Sequence, residues 1–382
     1  MPAVYDLMEL GEDSGGRISL KVVGIGGCGC NAITRMVQRK IRGVQYLAVN
    51  TDVQDFENCL YDEKLIIGGR VTRGRGTGGS SELGRQAAEE NLTDIEDMLK
   101  GCDMVFIAAG MGGGTGTGAA PVIAQVAREQ GAITVGVVSR PFEHEGVLKQ
   151  QRAEEGIQSL RKVLDSLIII PNDRLLTVVD EDATLEDALA LANDVLANAV
   201  EGINRIISVP GTINLDFEDV RRVITSGGGA MMGTGVATGP NRAEEAARQA
   251  ISNPLLDSIS IEGARAVLVN VHSSRDVKFR EAMIAQKTIS DVVGRTAQVF
   301  IGHSYGDDVD AEIKVTVIAT GFGDRIENDP IEMDLPARVA RGPFEGGRRG
   351  TEHIPFPVVA HGSGNVNTRD ANLPCFLQRD FD

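Results

Sequence analysis

Two glycine-rich segments carry the first chemical signal in this sequence. One reads Gly24-x-Gly26-x-x-Gly29 after a short apolar stretch, and the other places five glycines within residues 112–118. Glycine lets backbone N–H groups approach a phosphate closely, and the start of a helix favours an anion. The first segment alone fits a dinucleotide loop or a plain strand–helix turn. Together, the two segments predict a polyphosphate held from both sides.

A nicotinamide dehydrogenase is the competing enzyme class. Asn50 or Asp52 stands near the end of the second predicted strand, where such enzymes carry an acidic residue for the ribose. They also need a catalytic histidine or lysine constellation, and none of the five histidines lies in a recognisable one. The pattern Gly-x-x-x-x-Gly-Lys-Ser/Thr does not occur in the sequence, which excludes a P-loop hydrolase.

A pair of aspartates, Asp216 and Asp219, offers carboxylates that could orient a water molecule. Phe217, Val220 and Ile224 share one helical face, so the two carboxylates point together toward another side. From the residue types alone, an N-cap at Asp216 with a second acid three residues later is the simpler interpretation. Capping and catalysis are compatible, because a helix start also fixes the direction of a side chain.

Alternating strands and helices must position these residues. Apolar, β-branched stretches predict strands at residues 18–23, 46–49, 104–109, 133–138 and 166–170. With a helix predicted over residues 121–130, this order indicates a doubly wound parallel sheet with helices on both faces. Further strands at 264–271, 298–301 and 313–319 predict a second, smaller α/β domain.

A long helix connects these two parts. Apolar residues recur at helical spacing through this segment, and Thr184 followed by Asp187 predicts its cap. The predicted organisation is a flexible arm at 1–17, a nucleotide-binding domain at 18–183, the connecting helix at 184–207, the second domain at 208–323, a disordered linker at 324–371 and a terminal peptide at 372–382. The linker is rich in Gly, Pro and Arg. The terminal peptide regains apolar character, which fits a docking motif or a frayed terminus.

Composition limits the possible partners. The net charge is −16 over 382 residues and aromatic residues make up 4%, so a nucleic-acid partner is not expected. The five cysteines include no metal-type C-x-x-C pair and are predicted to be reduced thiols. With neither a signal-peptide pattern nor an apolar run long enough for a bilayer, the sequence predicts a cytoplasmic protein without membrane insertion.

Residues 110–118 resemble the signature loop of the tubulin and FtsZ family. Further matches stand in the family's order at residues 24–31, 48–52, 141–143, 193–194, 214–219 and 320–323. The resemblance therefore covers nearly the whole chain. Residues 373–379 are similar to the adaptor-binding peptide of bacterial FtsZ, which tubulins lack, so the bacterial branch is the closer match.

The resemblance implies a GTPase that polymerises into the bacterial division ring. It assigns phosphate contacts to Gly27, Cys28, Gly29, Cys30, Asn31, Gly114, Thr115 and Gly116. Glu145 would accept hydrogen bonds from the ribose with Lys149 nearby, and Asn193 would read the guanine edge. Lys149 stands where the family usually has arginine, and Leu189 where it commonly has an aromatic residue. Residues 76–81 also depart from the family's third loop and receive no assigned contact.

Catalysis, by the same resemblance, is shared between subunits. Asn214, Asp216 and Asp219 of one subunit would enter the nucleotide site of the next and polarise the attacking water. Mg²⁺ would be held mainly by phosphates and water rather than by a dedicated protein site. The implied partners are further copies in head-to-tail filaments, and membrane-adaptor and regulatory division proteins bound through residues 373–379 at the division site. A polymer that uses GTP only as structural glue is the alternative.

Overall fold

The computed structural model describes residues 18–41, 43–56, 63–175, 184–208, 211–213, 215–227, 229–253, 261, 263–274, 277–294, 297–306 and 312–322. The predicted arm, the whole predicted linker and the terminal peptide lie outside these residues. So do Asn214, Cys59 and Cys375, and the side chain of Leu189. All described residues belong to one compact unit.

Eleven strands and ten helices make up the described part of the chain. The strands β1 to β11 are Leu20–Ile25, Gln45–Asn50, Lys64–Ile66, Met104–Gly110, Ile133–Arg140, Ser166–Pro171, Gly211–Ile213, Gly229–Thr238, Ala266–Ser273, Gln298–Tyr305 and Glu312–Thr320. The helices α1 to α10 are Gly26–Gln38, Ser81–Glu90, Leu92–Leu99, Thr115–Glu129, Val147–Arg161, Asn172–Leu175, Leu185–Ser208, Phe217–Ile224, Arg242–Ile251 and Phe279–Val293. Every predicted strand is present. None of the described helices is both long and apolar enough to cross a membrane.

The strands form one sheet with the order β3-β2-β1-β4-β5-β6-β8-β11-β9-β10-β7. The first six strands are all parallel, which confirms the predicted doubly wound sheet. The strand order reverses between β1 and β4. In open α/β sheets, ligands bind at such a reversal, outside the carboxyl ends of the strands. Both glycine segments follow strands at this point.

The two halves of the sheet are joined by two residue pairs between β6 and β8, Leu167 with Gly229 and Ile168 with Ala230. β8 runs parallel to β6, and β11 is antiparallel to both β8 and β9. The sequence did not predict β8, because its glycines interrupt the β-branched pattern that marks a strand. Pairing along the whole of β11 holds this glycine-rich segment extended.

Both faces of the parallel sheet are buried, as such sheets require. Val22 and Phe106 pack on one face in a cluster that includes Leu196 of α7, while Val23 and Ile107 face the opposite cluster. The alternation of side chains along β1 and β4 places α1 and α7 on one side of the sheet and α2 to α5 on the other.

The predicted long helix and its cap are confirmed by α7. The Asp187 N–H donates to Thr184 Oγ1 at 3.1 Å, and the Thr184 N–H donates to Asp187 Oδ2 at 3.0 Å. These reciprocal bonds satisfy backbone donors that a helix start leaves open. They also lower the pKa of Asp187, because the Thr184 hydroxyl and N–H favour its carboxylate form.

The predicted start of the helix after the second glycine segment was wrong. The sequence indicated residue 121, whereas α4 begins at Thr115 and contains Pro121. The early start is held by close packing, because a Cβ atom on Gly118 would lie 1.9 Å from the Ser81 carbonyl oxygen of α2. Tertiary contact therefore overrides the poor helix propensity of glycine here. Similarly, α1 begins within the first glycine segment, at Gly26.

Candidate functional site

The amino ends of α1 and α4 meet at the point where the strand order reverses. Gly26 has a φ of +68° at the turn from β1 into α1, a conformation that glycine adopts without strain. A Cβ atom on Gly26 would lie 3.1 Å from the Gly116 nitrogen and 3.3 Å from Thr115 Cβ. Neither of these two helices has an acidic residue in its first turn or a side-chain cap. Their leading N–H groups are therefore placed to bind an anion from two directions.

Two other glycines of the first segment, Gly24 and Gly29, allow close packing of α1 against the sheet. A Cβ atom on Gly24 would lie 2.4 Å from the Gly29 carbonyl oxygen, and one on Gly29 would lie 2.3 Å from the Ala108 carbonyl oxygen. These glycines let α1 lie directly against β1 and β4. Gly27 is less enclosed, since its Cβ position meets only Asp55 Oδ2, at 3.4 Å. The predicted contacts of Gly27 and Gly29 with phosphate would therefore come from their backbone.

The two cysteines of this segment turn their side chains inward. Cys28 Sγ lies 3.6 Å from Ser139 Oγ, and Cys30 Sγ donates to the Gly24 carbonyl oxygen at 3.8 Å. Burial raises the pKa of the Cys28 thiol, more than the hydrogen bond with Ser139 lowers it. Among the described residues, Cys28, Cys30 and Cys102 form no disulfide. The predicted role of Cys28 and Cys30 in nucleotide binding therefore rests on backbone N–H groups.

A set of threonine hydroxyls holds the start of α4. Thr115 Oγ1 lies 2.7 Å from Thr51 Oγ1 and 3.5 Å from Thr77 Oγ1, and all three residues are buried. Thr117 Oγ1 accepts a hydrogen bond from the Gly112 N–H at 2.9 Å. The Thr115 and Thr117 hydroxyls are thus engaged within the protein, where they fix the backbone of the second glycine segment.

Sequence reasoning missed the contribution of Thr51 and of residues 76–81. A Cβ atom on Gly114 would lie 2.0 Å from Thr77 Oγ1, so this loop adjoins the second glycine segment. Ser80 then caps α2, its Oγ accepting from the Leu83 N–H at 3.3 Å. The sequence did contain a signal for Thr51, because this residue directly follows β2. The carboxyl ends of parallel strands share one edge of the sheet, so residues that follow these strands are expected to lie close together.

Glu145 and Lys149 lie beside the second glycine segment and pair with each other. The second Glu145 oxygen, Oε1, accepts from the Phe142 N–H at 2.9 Å. A Cβ atom on Gly112 would lie 2.8 Å from Lys149 Cγ, so the lysine stem packs on the glycine backbone. The structure thereby brings the predicted ribose residues next to the predicted phosphate residues.

Asn193 lies on α7, which packs along α1. The neighbouring Asp194 accepts hydrogen bonds from Arg35 of α1, at 2.6 Å from Nε and 3.2 Å from Nη2. Asn31 lies one turn before Arg35 on the same face of α1 and is exposed. Starting from the amino end of α1, where phosphate contacts are predicted, the contact between α1 and α7 therefore runs toward Asn193. Asp194 is an ion-pair partner of α1, which favours Asn193 over it as the base contact.

Asp216 and Asp219 lie at the start of α8. The Asp219 N–H donates to Asp216 Oδ1 at 2.8 Å, so Asp216 is the N-cap that the residue types indicated. At the other end of this helix, the Val223 carbonyl oxygen accepts from Thr320 Oγ1 at 2.8 Å. Thr320 pairs with Ala230 at the start of β8 and with Ala266 at the start of β9.

The end of α8 and the glycine segments therefore lie at different ends of the strands. β6, β8 and β9 run in one direction, since β8 is parallel to β6 and β11 is antiparallel to both β8 and β9. α8 packs against the amino ends of β8 and β9, whereas the glycine segments follow the carboxyl ends of β1 and β4. Within the described chain, the acidic pair therefore belongs to a helix that is anchored at the ends of the strands opposite to the predicted phosphate site.

Family models match most of the described chain. Residues 19–180 match the GTPase domain of the Tubulin/FtsZ family, and residues 228–323 match the FtsZ family C-terminal domain. The cell division protein FtsZ of Pseudomonas aeruginosa is 43% identical over 98% of this chain and 100% of its own length. The cell division protein FtsZ of Pseudomonas putida is 46% identical over 94% of this chain and 88% of its own.

Solved structures show the same relationship. An empty FtsZ dimer from M. jannaschii superposes with a TM-score of 0.77 at 39% identity, over 81% of this chain and 89% of that one. CetZ2 from Haloferax volcanii, solved as a GTPγS-bound protofilament, shares the fold with a TM-score of 0.69 at 23% identity, over 80% of this chain and 93% of that one. The chain belongs to the FtsZ family of tubulin-like GTPases, and it is a GTP-dependent cytoskeletal protein of cell division.

Proposed function

We propose that this chain assembles head to tail and hydrolyses GTP at the junction between two subunits. The observation that supports the proposal is that α8, which begins with the acidic pair, is anchored at the ends of the strands opposite to the two helix starts. Asp216 and Asp219 stand at the start of α8, and the far end of this helix contacts Thr320 beside the amino ends of β8 and β9, whereas α1 and α4 begin at the carboxyl ends of β1 and β4. A hydrolytic site that needs both parts is then completed by a second copy.

The phosphates lie between the amino ends of α1 and α4. The backbone N–H groups of residues 27–31 and 114–116 supply the donors, while the Thr51, Thr115 and Thr117 hydroxyls hold the α4 backbone in place. A triphosphate carries several negative charges, and the two helix starts offer N–H groups without an opposing carboxylate in their first turns. This donor set fits a polyphosphate better than a neutral ligand.

The ribose and base extend from there toward α5 and α7. Glu145 accepts from the ribose hydroxyls, and Lys149 holds the Glu145 carboxylate through their ion pair. Asn193 reads the guanine edge from α7. Lysine offers one cationic centre in place of the planar fork of arginine, so Lys149 contributes charge without a bidentate contact.

Mg²⁺ accompanies the nucleotide in this proposal. The groups that the starts of α1 and α4 offer to a ligand are backbone N–H donors, which suit phosphate oxygens. A hard dication prefers oxygen ligands and keeps several waters. The cation would therefore be held by phosphate oxygens and water, where it offsets the charge of the triphosphate.

Assembly places the acidic pair of one subunit at the nucleotide of the next. Its carboxylates orient and polarise the attacking water, as phosphoryl transfer requires. Such a contact joins two different surfaces of the same chain, so it is heterologous and generates an open filament. Val147 and Leu148 follow Glu145 closely and are 56% and 69% exposed. Their exposure supports a subunit contact at this edge of the proposed nucleotide site. Loss of the γ-phosphate would weaken that contact and couple hydrolysis to filament turnover.

The terminal region links the filament to other proteins in this proposal. Residues 324–371 act as a linker and residues 372–382 as a docking peptide, with 373–379 binding membrane-adaptor and regulatory division proteins. The proposed location is the cytoplasmic division site. The sequence similarity of residues 373–379 to the FtsZ adaptor-binding peptide supports this assignment.

Complementation between two inactive chains tests the shared site. Gly113→Asp puts a negative charge beside the second glycine segment, at a position where a Cβ atom meets nothing within 4 Å. Asp219→Asn keeps the nucleotide site and removes one carboxylate. Each chain alone should hydrolyse GTP poorly, and their mixture should recover turnover. A mixture no more active than the sum of its parts would overturn the shared site, provided that Gly113→Ala retains activity and the two chains co-sediment.

A further inference from the structure

Asp194 joins the two helices that hold opposite ends of the proposed nucleotide. Its Oδ1 accepts from Arg35 Nε at 2.6 Å and lies 2.7 Å from Arg39 Nη2, while Oδ2 accepts from Arg35 Nη2 at 3.2 Å. Arg35 and Arg39 are one turn apart on α1, so both reach the same carboxylate. The Asp194 side chain is only 19% exposed, which strengthens the pairing relative to a fully solvated one.

The contact continues along α7. Arg39 Nη1 donates to Asn198 Oδ1 at 2.7 Å and lies 3.9 Å from Glu201 Oε2. Asp194, Asn198 and Glu201 are spaced four and three residues apart, so they share one face of α7. Polar contacts at successive turns specify how far α7 is displaced along α1 and how it is rotated about its own axis.

The rotation of α7 matters because Asn193 is adjacent to Asp194. Consecutive residues of an α-helix differ by about 100° in direction and about 1.5 Å in height. When Asp194 is fixed toward α1, the direction of the Asn193 side chain is fixed with it. At its other end, α1 begins at the turn that faces the phosphates. The ion pair therefore sets the position of the base-reading amide relative to the phosphate-binding backbone.

We propose that Asp194, held by Arg35 and Arg39, is a positioning residue that aims the Asn193 amide at the guanine base. This inference rests on the proposed role of Asn193. Asp194 itself does not read the base, because its two oxygens already accept three charged hydrogen bonds or contacts from α1. Loss of the pair should therefore reduce base discrimination more than phosphate binding.

The test compares GTP with inosine triphosphate, which lacks the 2-amino group of guanine. Binding of both nucleotides to the full-length chain is measured below the assembly concentration. Asn193→Ala should lower the GTP-to-ITP affinity ratio roughly three- to tenfold, the value of one hydrogen bond. Asp194→Asn should lower the ratio by a comparable factor. Arg35→Gln leaves the Arg39 contact in place and should therefore lower the ratio by a smaller factor. This variant replaces Asp194→Asn in the test if Asp194→Asn does not fold.

A double variant separates positioning from general stability. In an Asn193→Ala background, Asp194→Asn should cause no further loss of the GTP-to-ITP ratio. The matched control is Glu281→Gln, because Arg242 and Glu281 form a similar two-point pair between α9 and α10, with bonds of 2.8 and 3.2 Å. The control should leave the ratio unchanged even if thermal stability falls.

The outcomes distinguish the two ideas. An unchanged ratio in Asn193→Ala would overturn the proposed base contact and, with it, the role of Asp194. A reduced ratio in Asn193→Ala together with an unchanged ratio in folded Asp194→Asn would overturn the positioning role alone. An equal loss of the ratio in Glu281→Gln would assign the effect to stability and contradict the inference.

Discussion

Gly26 and Gly116 bring the starts of α1 and α4 together. A Cβ atom on Gly26 would lie 3.1 Å from the Gly116 nitrogen, so the two helices approach with almost no side chain between them. Each glycine segment follows a strand of the pair at which the sheet order reverses. Two helix starts thus share one small region, where N–H groups from different helices can bind one ligand.

Gly26→Ala should weaken both folding and nucleotide binding. Gly26 has a φ of +68°, so alanine at this position is expected to lower the free energy of unfolding by roughly 1–2 kcal/mol. Its methyl group would also push against α4 and separate the two helix starts. Urea unfolding and GTP binding by the monomer measure the two effects. Gly113→Ala is the control, since its methyl group meets nothing within 4 Å, and an equal loss of GTP binding in that variant would contradict the special role of Gly26.

The two roles of Asp216 can be separated by substitution. Asp216→Ser retains an oxygen that can cap α8 but removes the carboxylate, whereas Asp216→Ala removes both. We expect both variants to lose GTP turnover, while only the alanine variant loses roughly 1 kcal/mol of unfolding free energy. Steady-state phosphate release and chemical unfolding provide the two readouts. A serine variant with normal turnover would show that capping, rather than catalysis, is the role of Asp216.

Asp219→Ala should abolish turnover and preserve GTP binding. The Asp219 side chain is not the cap of α8, because it is the Asp219 N–H that donates to Asp216. Its removal should therefore change stability little. Equilibrium binding of GTP to the monomer and phosphate release at high protein concentration measure the two properties. Loss of binding in a folded variant would be inconsistent with a carboxylate that acts on a neighbouring subunit.

Glu201 should make the stability of the chain depend on pH. Burial raises its pKa, but Lys314, Arg205 and Arg39 together lower it further, so that it lies below the ordinary value of 4.5. A carboxyl whose pKa is depressed by folding stabilises the protein above about pH 4.5, and this contribution is lost as the pH falls through the folded-state pKa. Wild type should therefore lose stability on acidification more steeply than Glu201→Gln.

At neutral pH, Glu201→Gln should cost roughly 1.5–3 kcal/mol of unfolding free energy, because it removes a charged partner from three cations. Urea unfolding from pH 7 down to about pH 3 measures both the cost and its pH dependence, because the contribution is lost only below the ordinary carboxyl pKa. Glu244→Gln is the control, since its pair with Arg248 lies on the surface, where the cost should be small. Parallel pH profiles for wild type and Glu201→Gln would refute the assignment.

Deletion of residues 373–382 should leave assembly intact in vitro. The proposed docking peptide lies beyond both matched family domains, the second of which ends at residue 323. Light scattering and sedimentation with GTP should therefore match the full-length chain, while binding to a membrane adaptor is lost. Failure of the shortened chain to polymerise would mean that this segment belongs to the filament contact instead.

The sequence was most informative where a pattern is local. β-branched stretches located the strands, and the glycine segments indicated the polyphosphate site before any contact was known. The start of α4 at Thr115 could not be found this way, because it depends on packing of Gly118 against α2. The contact of Thr77 with Gly114 also joins distant segments. The ion pair of Asp194 with Arg35 likewise joins segments that are far apart in the sequence.

Phosphate release from GTP, measured per chain across a protein dilution series with Mg²⁺, tests the shared site most directly. Because the helix that begins with the acidic pair is anchored at the ends of the strands opposite to the starts of α1 and α4, turnover per chain should collapse below a threshold concentration. Binding of GTP to the dilute monomer should persist there. Turnover per chain that stays constant on dilution would place the whole active site in one subunit and contradict hydrolysis at the junction.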